Sequence, residues 1–135
     1  MPTVEINYLA VLVAAVINMV VGAIWYSPVL FAKDWSKLTG RKANEMGDGS
    51  TRYVITFAGA LLQAYILTHF VSYSGAVTAV EGAMTGFWLW LGFVAITQGV
   101  NTVFAGTRKK LLAINTGYFL AVLLINGALL AVWVK

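Results

Sequence analysis

Four long stretches of this chain contain no Asp, Glu, Lys or Arg: Ile6–Ala32, Tyr53–Val80, Gly82–Thr107 and Leu111–Val134. Each exceeds the roughly 20 apolar residues needed to cross the hydrocarbon core of a bilayer. A soluble domain of 135 residues has too little interior to hide four such surfaces, and the mean hydropathy is +0.81. Charged residues make up only 10% of the chain, where soluble domains carry about 25%. A disordered polymer needs the opposite balance, much charge and few apolar groups. The sequence therefore predicts an all-α integral membrane protein: a single domain, 1–135, folded as a four-transmembrane-helix bundle with short loops.

Local signals place the helices at about 4–31, 51–73, 80–104 and 108–133. Thr3 is a suitable N-cap for the first, and Glu5 in its first turn complements the helix dipole. Pro28 lacks an N–H and its ring crowds the carbonyl of Ile24, which predicts a kink or an end there. Met1–Glu5 carries no basic side chain, so the N-terminus does not read as a cleavable signal and the first helix is expected to remain. Within the loop 33–50, Phe31, Trp35 and Leu38 recur at i, i+4 and i+7. Lys33–Thr39 is then either a short amphipathic helix in the membrane interface or an ordinary loop with one anchoring Trp. Gly47–Ser50 is a turn signal, with Asp48 or Ser50 available as a cap. Thr78 and Glu81 have the spacing of a capping box.

The basic residues set an expected orientation. Lys33, Lys37, Arg41, Lys42 and Arg52 fall in the first loop, and Arg108, Lys109 and Lys110 in the third. The positive-inside rule places both loops in the cytoplasm and both termini outside. The net charge of +4 then follows from topology and contact with anionic membrane lipids, and no nucleic-acid partner is needed. Trp25, Tyr26, Phe31, Trp35, Tyr53 and Phe104 gather towards the basic edge, and Tyr8, Phe70, Tyr73 and Trp133 towards the other. They read as interface anchors.

Small residues at four-residue spacing mark where helices approach closely in lipid. They are Ala10, Ala14, Asn18 and Gly22 in the first helix, Ala60 and Ala64 in the second, and Gly82 and Gly86 in the third. The last helix has two such faces, Gly117 with Ala121 and Gly127 with Ala131. One face suits a contact within the protomer and the other a contact between protomers. A homo-oligomer built on helices three and four is the resulting expectation.

Polar side chains at depth need protein partners. Asn18 and Gln63 fall near the midplane and can satisfy each other, as interhelical glue or as part of a solute site. Gln98 and Asn101 share a face of helix three, and Asn115 enters from the same side, so these three are expected to meet. Trp88 and Asn126 are further interior candidates. His69 and Glu81 flank the second loop, where a His–Glu pair would relay protons or hold a cation. The plainer role for Glu81 is the capping box. Glu81, Thr85, Trp88, Gly92, Ala95, Gly99 and Thr102 follow 4-3 spacing along helix three. That stripe is either a helix contact or the lining of a narrow cavity constricted by Trp88.

Enzyme signals are missing: there is no paired-carboxylate site, Ser–His–Asp set, HExxH or phosphate-binding glycine loop. Cysteine is absent, which removes thiol catalysis, zinc–thiolate and iron–sulfur sites. The expectation is a protein that is not an enzyme and has no catalytic residues, metal site or cofactor. Its leading role is then a homo-oligomeric scaffold or accessory subunit in contact with lipid. The alternative is a transporter or channel for a small polar solute or cation.

The segment Asn18-Met-Val-Val-Gly22-Ala-Ile-Trp25-Tyr26-Ser-Pro28-Val-Leu-Phe31, followed by Trp35, resembles the first-helix signature of the DUF1761 proteins. Glu81-Gly82, Gly86, Trp90-Leu91-Gly92-Phe93, Asn115-Thr-Gly117-Tyr118 and Ala131-Val-Trp133 extend the resemblance over nearly the whole chain. It implies a small four-helix membrane protein of bacteria or fungi, expected in the bacterial inner membrane. It supplies no reaction, substrate or catalytic residue.

Overall fold

The computed structural model describes residues 3–28, 30–40 and 49–133. Its elements in chain order are α1 (Tyr8–Trp25), α2 (Ala32–Thr39), α3 (Gly49–Tyr73), α4 (Ala79–Leu89), a π-helical turn (Trp90–Ala95), α5 (Ile96–Ala105) and α6 (Lys109–Val132). No strand occurs among the described residues. Four helices are long and apolar enough to cross a membrane: α1, α3, the composite Ala79–Ala105, and α6.

α1 is shorter at both ends than the expected 4–31. Asn7, not Thr3, is its N-cap, and the Asn7 Oδ1 accepts from the Ala10 N–H at 3.1 Å. The far end closes at Trp25, three residues before Pro28, where the Ser27 N–H turns to the Ile24 carbonyl at 3.1 Å. Lys33–Thr39 is helical, within α2, and buries no residue. Gly40, at φ 71°, closes it in the left-handed conformation that glycine adopts without strain. α3 already includes Ser50 and begins at Gly49; the other proposed cap, Asp48, lies outside the described residues. The capping box of α4 is formed. Thr78 Oγ1 accepts from the Glu81 N–H at 3.2 Å, and Glu81 Oε2 accepts from the N–H groups of Val77 and Thr78 at 2.8 and 3.3 Å.

α6 is the hub of the bundle and packs on α1, α3 and α4, while α1 also lies along α3. An ion pair between Lys110 Nζ and Asp34 at 3.3 Å joins α2 to the start of α6, so both basic loops lie at one end. This pair is exposed and contributes little stability. The core between helices is made of small residues: Ala10, Ala14, Ala60, Ala64 and Ala131 are all buried. The closest approach is α4 on α6. A Cβ at Gly82 would overlap the carbonyl oxygen of Gly127 and come within 2.6 Å of the Ala131 Cβ, and one at Gly86 would overlap the Leu123 carbonyl.

Both small-residue faces of α6 are therefore used within the protomer. Gly127 and Ala131 receive α4, while a Cβ at Gly117 would meet Trp25 Cζ2 of α1 at 3.0 Å. The expected division of these faces between one internal and one external contact does not match this arrangement, because α1 and α4 flank α6 on two sides.

The π turn changes the reading of helix three. It inserts one extra residue, which rotates everything beyond it by about 100° relative to a continuous α-helix. The Glu81–Thr102 stripe is consequently not one face: Trp88 is 60% exposed, whereas Thr102 is half-buried.

The glycine contacts generate a stability prediction. Gly86→Ala should lower stability in detergent by about 1–3 kcal/mol through overpacking. Gly59→Ala, where a Cβ meets nothing within 4 Å, should be neutral or stabilising because alanine is the better helix former. Thermal unfolding followed by circular dichroism compares the two. Equal midpoints would show that the α4–α6 contact is looser than described.

Candidate functional site

The densest group of polar contacts lies between α1 and α6, in the half of the bundle nearer the basic loops. On α1, Asn18, Gly22 and Trp25 or Tyr26 recur at helical spacing and present one face to α6. On α6, the run Ile114–Tyr118 answers them. Tyr118 donates its hydroxyl to Asn18, to the side-chain Oδ1 and, at 3.2 Å, to the backbone carbonyl. Asn18 Nδ2 then donates to Gln63 Oε1 on α3 at 3.2 Å. Three helices are joined through one asparagine, which is 6% exposed. Gly22 leaves the space that the Tyr118 ring fills, since a Cβ there would lie 3.2 Å from the Tyr118 hydroxyl.

Closer to the basic end, Tyr26 donates its hydroxyl to Asn115 Oδ1 at 2.8 Å. The Trp25 indole N–H donates to the Ile114 carbonyl at 2.9 Å. From the other side of α6, the Trp90 indole N–H donates to the Thr116 carbonyl at 2.8 Å. Two tryptophans from neighbouring spans thus hold a single turn of α6. The Tyr26 and Tyr118 rings meet edge to face at 5.6 Å between centroids, a favourable aromatic geometry.

Further along the same interface, Asn126 Nδ2 donates to the Ala14 carbonyl at 3.1 Å. Asn126 is buried, and its Oδ1 has no hydrogen-bond partner.

Several expected juxtapositions do not form. Asn115 bonds Tyr26, while Gln98 and Asn101 are exposed on α5. Both stand on a part of the third span that packs little against the bundle. His69 does not approach Glu81. Its Nδ1 lies 2.9 Å from the Tyr65 carbonyl and its ring stacks with Tyr65 and Tyr73 on α3, while Glu81 is committed to the capping box. Thr85 bonds Ser74 at 2.9 Å and its own helix at 3.0 Å. Trp88 faces outward and constricts nothing. Among the described residues no three His, Cys, Asp or Glu side chains cluster as metal ligands.

Two shallow clefts open on the surface. One, of about 340 Å³, lies at the end bearing the termini, between Glu5, Asn7, Thr68, Ser72, Val77 and Trp133. The other, of about 290 Å³, is an almost wholly apolar groove between α3 and the third span, with Gln63 its one polar residue. Neither is lined by Asn18, Glu81 or Trp88.

Sequence reasoning found Asn18, Gln63 and Asn115 but missed Tyr118, Trp90 and Thr116. It read Trp25 and Tyr26 as interface anchors and did not foresee their inward bonds to Ile114 and Asn115. The available signal was chemical: a Tyr or Trp inside a charge-free run must place its O–H or N–H on a protein acceptor.

The Asn18–Tyr118 contact should be measurable. Tyr118→Phe is expected to cost about 0.6–1.7 kcal/mol, the range found for hydrogen bonds between membrane helices. A double-mutant cycle with Asn18→Leu should show coupling of similar size. Strict additivity would mean that the contact contributes nothing.

No curated protein and no solved structure matches the chain. A family model described as a protein of unknown function, DUF1761, matches residues 9–131. The matched stretch holds both segments that meet at this site, Asn18–Phe31 and Asn115–Tyr118, and the chain belongs to the DUF1761 family.

Proposed function

We propose that this protein is a non-enzymatic membrane scaffold or accessory subunit that works as a homo-oligomer in contact with lipid. The supporting observation is the mutual pairing of the interior polar groups. Asn18, Gln63, Tyr118, Tyr26 and Asn115 bond one another across helices, and the indoles of Trp25 and Trp90 bond backbone carbonyls. Groups engaged in this way fix the relative positions of helices. A transport path needs polar groups that face an open cavity and exchange partners with a passing solute. The expected path through Glu81, Trp88, Gln98 and Asn101 is dispersed over outward faces and a helix cap, so transport is the weaker proposal.

The orientation proposed with this role puts both termini outside and both basic loops against the anionic cytoplasmic leaflet. Single cysteines at Ser36 and Ser74, in a chain with no native cysteine, should be labelled from opposite sides of the membrane. Labelling of both from outside would reject the orientation. Liposomes containing the purified protein should leak ions and small solutes no faster than empty ones. Saturable flux abolished by Asn18→Leu would replace the scaffold reading with transport.

A further inference from the structure

The third span is the least covered of the four. Only 11% of its most apolar window is buried, against 39% for α6. Its inner half, α5, touches little besides the adjoining π turn and α6. Thr97, Val100, Asn101 and Phe104 stand at i, i+3, i+4 and i+7, which makes them one helical face, and all four are exposed. Gln98 is exposed on the flank of that face. Thr97, Gln98 and Asn101 have no side-chain hydrogen-bond partner among the described residues.

Depth makes this a physical problem. The span Ala79–Ala105 has 27 residues and is about 40 Å long, roughly 5 Å longer at each end than the hydrocarbon core. Gln98 then lies about 5 Å inside that core and Asn101 at its edge. A lipid tail offers neither donor nor acceptor, so an amide directed into lipid loses its hydrogen bonds.

We propose that this face of α5 is the surface on which a second copy of the chain packs, with Gln98 and Asn101 bonding across the contact. The inference rests on the homo-oligomer proposed above and names its interface. Two arguments select a second copy as the occupant. First, a carboxamide carries both a donor and an acceptor and is its own complement. Second, copies inserted with the same topology are related by an axis perpendicular to the membrane, which sets each residue opposite its own equivalent at equal depth. The face contains no Asp, Glu, Lys or Arg, since the stretch Gly82–Thr107 has none, so the packed surfaces themselves do not repel. Arg108, Lys109 and Lys110 follow close by at the headgroup level, where anionic lipids screen them.

The absence of cysteine makes the test direct. Val100→Cys should cross-link to a dimer in native membranes, and Ile125→Cys, on an exposed position of α6, should not. The double variant Gln98→Leu, Asn101→Leu should keep the helical circular dichroism and weaken association about tenfold in mild detergent. A dimer that persists unchanged in the double variant, with no cross-link at Val100→Cys, overturns this surface while leaving the homo-oligomer in place. Monomer alone, for the unmodified chain in both membranes and mild detergent, overturns both. Cross-linking of Val100→Cys to a different protein or to lipid, with no dimer band, overturns the choice of a second copy.

Discussion

Hydrocarbon supplies no hydrogen bonds, and the organisation of this bundle follows from that constraint. Asn18 in water would cost nothing to leave unpaired. Between α1, α3 and α6 it must satisfy a carbonyl and an amino group within the protein, and it does so with Tyr118 on one side and Gln63 on the other. Each bond is modest in energy, but the geometry it demands is strict. Three helices can pass this point at only a few relative rotations and heights. The alanines at Ala10, Ala14, Ala60 and Ala64 then bring the backbones close at those settings, and packing adds what the hydrogen bonds have specified.

The four spans were legible in the sequence because they rest on the coarsest signal, charge. So were the capping box at Thr78, a break in the first helix near Pro28, and the Asn18–Gln63 pair. That last pair follows from depth alone, since two amides at one level in lipid have few alternatives. The stripe along helix three failed at the π turn. Extrapolating helix three at a constant 3.6 residues per turn carries the expected stripe straight through Trp90–Ala95, where one additional residue enters the turn. Gln98 and Asn101 are exposed on α5, while Asn115 bonds Tyr26. The inward bonds of Trp25 and Tyr26 escaped for a different reason. Their position near a helix end matches an interface belt, and nothing in the local pattern says that the Ile114 carbonyl and Asn115 lie within reach.

The glycines divide in the same instructive way. At Gly82, Gly86 and Gly127 the missing side chain lets two backbones touch, and any Cβ would push α4 off α6. At Gly59, Gly92 and Gly99 a Cβ would meet nothing. Spacing could not separate the two groups, because close approach is a property of the partner helix as much as of the glycine. This also explains why the two faces of α6 looked alike in sequence: both carry small residues, and the difference between them lies in whether a backbone or a tryptophan ring arrives.

The contrast between α4 and α5 has a consequence for how the third span holds its course. α4 is fixed by backbone contact over two glycines, an arrangement with almost no freedom to rotate. α5 lacks such a contact, yet a helix in lipid satisfies its own backbone and needs no neighbour to stay folded. What α5 needs from the rest of the protein is direction. The junction is tied to the bundle, because the π turn begins at Trp90, whose indole is bonded to the Thr116 carbonyl. The Trp90 bond to α6 and the extra residue of the turn therefore stand where α4, packed on α6, gives way to the exposed α5.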